Sequence, residues 1–220
     1  MQKFPNLKII EHPLISHRLT IIRNKNTNSE LFRINLKKIC EILVTEATKN
    51  LPLKEVEIET PISKTKSKIL KDDIEIIGVF ILRAGLIFSS IFEENIPNVK
   101  IQHLGMGRDE ITKKPVWYYN KIPEKFDLSK EHFIYICDPM LATGGSAIDA
   151  IKVYVNDKKV PQKNIVFINL VCSSEGLEKV FGLFPDIHII SAALDEKLND
   201  DKFIVPGLGD AGDRIFNSFY

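Results

Sequence analysis

The residues of this chain best suited to chemistry are Asp138 and the Thr143–Gly144–Gly145–Ser146 run that follows it, in the segment YICDPMLATGGSA. HFIYIC, rich in β-branched and aromatic residues, reads as a strand ending at the acid, and apolar residues at helical spacing resume in SAIDAIKVYV. A loop that leaves a strand end and opens a helix presents free backbone N–H groups and the positive end of the helix dipole. That combination suits a phosphate. Gly144 and Gly145 let the main chain curl around an anion, and Thr143 and Ser146 add hydroxyl donors. Asp138 would repel a phosphate, so a pair of ribose hydroxyls is its better partner. The loop is not a Walker A motif, because GxxxxGK[ST] is absent. Gly-Gly before a helix also serves as a plain structural turn; the specificity comes from apolar strand, acid and Thr-Gly-Gly together.

Two arginines and a second glycine cluster complete the chemical inventory. Arg83 follows the apolar run IEIIGVFIL and so stands at a strand end, while Arg108 opens a polar stretch. Arginine's planar fork matches phosphate oxygens bidentately, although such a residue taken singly is more often half of a surface ion pair. VPGLGDAGDR, residues 205–214, contains GxGxxG at Gly207, Gly209 and Gly212. A dinucleotide fingerprint is ruled out, since Pro206 interrupts any strand and only residues 213–220 follow. What remains is a compact loop with exposed N–H and C=O groups, either a structural turn or a ligand cradle.

Composition narrows the setting. Lys and Arg number 30 against 29 Asp and Glu, so no global field draws in nucleic acid or an anionic membrane. No apolar run approaches a membrane span, and the start MQKFPNLKIIEHP lacks the apolar core of a signal peptide. Cys40, Cys137 and Cys172 stand far apart without a CxxC pair, and the five histidines show no metal spacing. The expectation is a reduced, soluble, cytoplasmic protein with one domain over residues 1–220, and with neither nucleic acid nor membrane as partner.

The elements that must position these residues read as α/β. IEIIGVFIL, VKIQHL, FIYIC, IVFINLV and IHIISAAL are short strands, hydrophobic throughout, and the last three alternate with SAIDAIKVYV and SEGLEKVFGLF as helices. RAGLIFSSIFEEN is a further helix. This pattern predicts a mostly parallel sheet flanked by helices on both faces. The chain through Leu51 reads as a connector plus one long helix, capped by Asn28 or Ser29, with Leu31, Ile39, Ile42, Leu43 and Ala47 as its apolar face. Residues 105–126 break the alternation and read as a β-hairpin arm, whether surface insertion, lid or dimer contact.

DPMLATGGSA resembles the phosphoribosyl-diphosphate (PRPP) motif of type I phosphoribosyltransferases, in the form found in uracil phosphoribosyltransferases. ILRAGL, GRDE and IVPGLGDAGDR are similar to further elements of that family, and the likeness runs from EHPLISHRLTIIRNKNT through AALDEKL to the end. The resemblance implies a type I fold with a C-terminal hood over residues 203–214. It implies transfer of the 5-phosphoribosyl group of PRPP to uracil, giving UMP and diphosphate. Asp210, Arg108 and Asp138 would be the catalytic residues. PRPP would meet Arg83, Arg108, Asp138, Pro139, Met140, Leu141, Ala142, Thr143, Gly144, Gly145, Ser146 and Asp210. Backbone groups of Ile204, Gly209 and Ala211 would hold uracil, with Asp210 beside the reaction centre. Mg²⁺ would ride mainly on PRPP oxygens and water. A homodimer or larger assembly is implied, as is a GTP effector in some relatives. Departures from the family pattern are Pro139 in place of a second acid, Ile87, Ser90 and Gly107, and the tail Asn217–Tyr220. A regulatory nucleic-acid-binding protein on the same fold, or a phosphoribosyltransferase for another base, are the competing readings. Near-neutral charge opposes the first, and the C-terminal loop opposes both.

Overall fold

A computed structural model describes residues 4–108, 115–127 and 129–218. In chain order the elements are β1 (Leu7–Ile9), α1 (Pro13–Arg23), α2 (Ser29–Thr48), β2 (Leu53–Glu59), β3 (Lys64–Leu70), β4 (Ile74–Leu82), α3 (Ser89–Asn95), β5 (Lys100–Arg108) and β6 (Pro115–Asn120). The second half adds β7 (Glu131–Cys137), β8 (Met140–Leu141), α4 (Gly145–Lys152), β9 (Ile165–Ser173), α5 (Ser174–Leu183), β10 (His188–Asp195), β11 (Lys197–Leu198), β12 (Ile204–Val205) and α6 (Ala211–Phe216). The main sheet runs β1-β10-β9-β7-β4-β5-β6, with β8 added beside β9. Every pairing in it is parallel except β5 with β6. The expected mostly parallel α/β sheet is what forms.

Each strand feeds two cores, because successive side chains point to opposite faces. Ile76, Phe80, Tyr135, Cys137, Ile168 and Leu170 pack beneath α1, α2 and α3. Ile77, Val79, Ile134, Ile136, Ile165 and Phe167 pack beneath α4 and α5. A strand buried on both faces cannot alternate polar and apolar residues, hence the continuous runs read in the sequence.

The N-terminal expectation needs correction. The long helix forms as α2, but the connector before it is not irregular: it holds the edge strand β1 and a further helix, α1. His12 caps α1, its side chain accepting from the Leu14 N–H, and Pro13 opens the first turn. Histidine is an unusual cap, and the three buried positions, Ile15, Leu19 and Ile22, make a thin stripe, so the helix left little local trace. Asn28 caps α2 as expected. Its buried face runs through Phe32, Leu36, Ile39, Leu43 and Ala47, while Leu31 is half exposed. RAGLIFSSIFEEN divides into a 3₁₀ turn, Ala84–Phe88, and α3. SAIDAIKVYV is α-helical only to Lys152 and ends in a π turn, Val153–Asp157.

Within the expected arm, β5 and β6 pair antiparallel, with a register irregularity between Gly105 and Met106. The Tyr118 ring lies across Gly105, where a Cβ would come within 2.4 Å of it. Residues 109–114, inside the expected arm, lie outside the described residues. β2 and β3 form a second, unanticipated ribbon that makes its own two-stranded sheet.

Candidate active site

Parallel strands all end on one side, and loops leaving those ends share one cleft. β4 delivers Arg83, β7 delivers Asp138, and β5 delivers Met106 before ending at Arg108. Gly85 lets the first two approach: a Cβ there would sit 2.5 Å from the Cys137 carbonyl, so the turn after β4 lies directly on the end of β7. The result is a cleft of about 450 Å³. Its walls are Arg83, Asp138, Met140–Ser146, Ile204 and Gly209–Gly212, together with Met106 and Asp201–Phe203. The glycine loop, Arg83, Asp138 and the C-terminal loop, separated by up to about 130 residues, therefore face the same space.

The 139–146 loop is fastened from below. Pro139 accepts from Leu170 N and Val171 N at 2.9 and 3.2 Å, so its carbonyl belongs to the sheet, and the residue stands off the cleft wall. Ser173 Oγ donates to the Ala142 carbonyl (2.6 Å) and accepts from Gly176 N (3.0 Å). A Cβ on Gly176 would meet the Ala142 oxygen at 2.4 Å, so α5 begins flush against the loop. Gly144 takes φ +81°, which a side chain would strain, and makes no side-chain cap to α4. The first N–H groups of α4 have no intrahelical acceptor and remain available to an anion.

Asp138 is partly accessible from the cleft, yet its surroundings push the carboxyl up to about 7. Desolvation is the main cause; the Met140 N–H opposes it, and the nearby charge of Asp210 adds to it. A carboxyl poised near neutrality in a cleft is a mark of a functional group.

Arg83 extends across the cleft mouth to α6. Its Nη2 donates to Asp213 Oδ1 at 3.0 Å, its Nη1 to Ser218 Oγ at 3.2 Å, and Ser218 in turn donates to Asp213. Ser218 belongs to the Asn217–Tyr220 tail. Arg108 closes β5 on the same sheet edge, and its side chain lies outside what the structure describes. Among the departures noted in the sequence, Ile87 packs against the core and Ser90 sits exposed on α3. At Gly107 a Cβ would find the Tyr118 ring at an ordinary 3.9 Å.

The C-terminal glycines make a turn followed by a short helix, rather than loop throughout. The Val205–Pro206 peptide is cis, Gly207 and Gly209 take φ of +58° and +78°, and α6 starts at Ala211. A Cβ on Gly207 would fall 2.1 Å from the Ile204 carbonyl, so only glycine fits this turn. Asp210 caps α6, its Oδ1 accepting from Asp213 N at 2.9 Å. Asp201 and Lys202 lie just outside the expected hood of residues 203–214, and Phe203 is its first residue. They reach the wall through the β11–β12 turn, which Asn199 closes by accepting from Phe203 N through its side chain and from Lys202 N through its carbonyl. Nothing local in EKLNDDKF signals a ligand.

The family model described as uracil phosphoribosyltransferase matches residues 9–218. A uracil phosphoribosyltransferase of Dictyoglomus thermophilum is 46% identical over 96% of this chain and 98% of its own. One from Clostridium novyi is 49% identical over 95% and 97%. The solved structure of a protein from Aquifex aeolicus, 35% identical, superposes with a TM-score of 0.85 over 97% of this chain and 100% of that one.

Proposed function

Because the chain belongs to the uracil phosphoribosyltransferase family, and so transfers a phosphoribosyl group to uracil, we propose the following division of labour within its cleft. The Thr143–Ser146 loop and the first turn of α4 take the 5′-phosphate of PRPP. Asp138 accepts from the ribose hydroxyls. Arg83 and Arg108 meet the diphosphate. Main-chain groups of Ile204, Gly209 and Ala211 hold uracil, with Asp210 beside C1′. The observation that carries this reading is the convergence of the glycine loop, Asp138 and the C-terminal loop on one cleft.

In the reaction the C1′–diphosphate bond breaks with its electron pair leaving on diphosphate, the N1–C1′ bond forms, and the uracil N1 proton passes to the departing diphosphate or to water. Negative charge builds on the departing diphosphate and positive charge on C1′. Arginines at the former and a carboxylate at the latter stabilise the transition state more than the ground state. Among the described residues no group of three His, Cys, Asp or Glu could hold a metal. Three carboxylates, Asp138, Asp201 and Asp210, nonetheless line the cleft, which fits a Mg²⁺ held chiefly by PRPP oxygens and water. Bound there, Mg²⁺ would help neutralise the diphosphate.

Incubation with PRPP, Mg²⁺ and a panel of bases is the direct test. UMP and diphosphate should form with uracil and no comparable product with hypoxanthine or adenine. Faster turnover of a purine, or nucleic-acid binding without turnover, would count for the competing readings. Among the described residues no helix is long and apolar enough to cross a membrane.

We also read residues 1–220 as one domain that assembles as a homodimer, supported by the β2–β3 ribbon. Glu55, Glu57 and Glu59 oppose Lys68, Lys66 and Lys64 on one face. Val56, Ile58 and Ile69 occupy the other, with Ile58 and Ile69 nearly half exposed and Ile62 at the tip 92% exposed. A lone two-stranded ribbon is marginal in water, so a partner surface is expected over the apolar face. The wild type should sediment as a dimer, and the double variant Ile58→Asp/Ile69→Asp should shift toward monomer with unchanged circular dichroism. A monomeric wild type at micromolar concentration would reject the assembly.

A further inference from the structure

The uracil loop is held in shape by residues far from it in sequence. Asp195 ends β10 and is buried; Arg23 ends α1. They form a bidentate ion pair, Nη1 to Oδ2 at 2.7 Å and Nη2 to Oδ1 at 2.6 Å. The same pair captures both polar groups of one peptide residue in the turn. Gly207 N donates to Asp195 Oδ2 at 2.8 Å, and Arg23 Nη1 donates to the Gly207 carbonyl at 2.8 Å. Two residues before Gly209, the main chain is thus fixed by charge-assisted bonds from a strand end and a helix end.

A second arginine fastens the next residue. Arg214 donates through Nη1 to the carbonyls of Leu208 (2.8 Å) and Ile22, and through Nη2 to that of Asn24 (2.8 Å). Its guanidinium stacks on Phe32, 4.3 Å from the ring centroid. Arg214 thus ties Leu208 to the C-terminal end of α1, as Arg23 and Asp195 hold Gly207.

We propose that Arg23 and Asp195 are positioning residues for uracil recognition, acting through Gly207 on the main-chain groups of Gly209 and Ala211. The proposal rests on the reading that those groups hold the base. Gly207 and Gly209 both use conformations open chiefly to glycine, so the loop's own chain does little to confine it. Recognition by main-chain donors and acceptors requires placement within about half an ångström. The Arg23–Asp195 pair supplies that placement, and its effect should fall on the base rather than on PRPP, since neither residue lines the cleft.

The test compares Arg23→Lys and Asp195→Asn with wild type in steady-state kinetics on uracil, cytosine and PRPP. Lysine keeps the charge but cannot make the fork to Asp195 and the Gly207 bond together. Asparagine keeps the shape and loses the charge. KM for uracil should rise about 10-fold or more, the size of one lost hydrogen bond to a charged group. Preference for uracil over cytosine should fall by a similar factor, while KM for PRPP changes less than about 2-fold. If Asp195→Asn fails to fold, Arg23→Lys decides the matter alone. Equal increases in both KM values, or lowered thermal stability with unchanged kinetics, would overturn the positioning role. A wild type that already fails to distinguish uracil from cytosine would instead defeat the main-chain recognition on which the proposal depends.

Discussion

Asp138→Asn should lower kcat/KM for PRPP by about 10²-fold or more, and should flatten its pH dependence near neutrality. An ionised carboxylate accepts from both ribose hydroxyls, whereas an amide offers one accepting oxygen and turns a donor toward the second hydroxyl. Losing one charge-assisted bond and mispairing another accounts for that magnitude. Desolvation is the first cause that lifts the Asp138 carboxyl to about 7. In the free enzyme, then, kcat/KM for PRPP should climb as pH rises through about 7 and the acceptor forms. The phosphates of PRPP titrate in the same region, so the wild-type profile alone is not diagnostic; the difference between wild type and variant is.

Stability should move in the opposite sense. Because the folded-state value of about 7 lies above the ordinary 3.8, the folded protein binds the Asp138 proton more tightly than the unfolded chain does. That contribution is complete below about pH 4 and is lost as pH rises through about 7. Asp138→Asn removes the buried charge and should melt higher than wild type at pH 8, with the difference shrinking toward pH 5. A variant with full activity at every pH would remove Asp138 from the site. One that is inactive but no more stable at pH 8 would show the carboxylate to be better solvated than its setting indicates.

Discrimination between uracil and cytosine should reach on the order of 10³-fold in kcat/KM at saturating PRPP and Mg²⁺. Uracil offers acceptors at O2 and O4 and a donor at N3; cytosine replaces O4 with an amino donor and N3–H with an acceptor. Main-chain N–H groups of Gly209 and Ala211 and the carbonyl of Ile204 cannot rotate to suit the other base. The first belongs to a turn fixed by positive φ, and the second opens α6, whose N–H groups lack intrahelical acceptors. Each donor or acceptor left unpaired costs about 1–3 kcal/mol, so two mismatches suffice for the predicted ratio. Ala211 is buried, and its exchange should perturb this selectivity through bulk alone. Comparable kcat/KM for both bases would sink recognition by the backbone even with phosphoribosyl transfer intact.

Much of this protein is legible locally. IEIIGVFIL, HFIYIC and IVFINLV declare strands covered on both faces, because only a doubly buried strand needs apolar residues at every position. Thr143–Ser146 declares a tight strand-to-helix loop, and Gly207 and Gly209 declare a turn, since positive φ and close approach select glycine within a few residues of chain. The same physics is weaker for β2 and β3: EVEIE alternates with the period of a strand, but the ribbon pairs only with itself and joins no core strand of the main sheet. It fails for α1, whose cap is a histidine. Tertiary structure alone decided the rest. Met106, Asp201, Lys202 and Phe203 join the cleft because of where β5 and the β11–β12 turn end, not because of any pattern in their own segments. Arg23 meets Asp195 across 172 residues, and Arg214 meets Ile22 across 192. The Asp138 carboxyl rises to about 7 only once strand ends and loops exclude water from it. Periodicity and turn chemistry are set by neighbours along the chain, whereas charge pairing and desolvation are set by neighbours in space, and those exist only after the sheet has chosen its order.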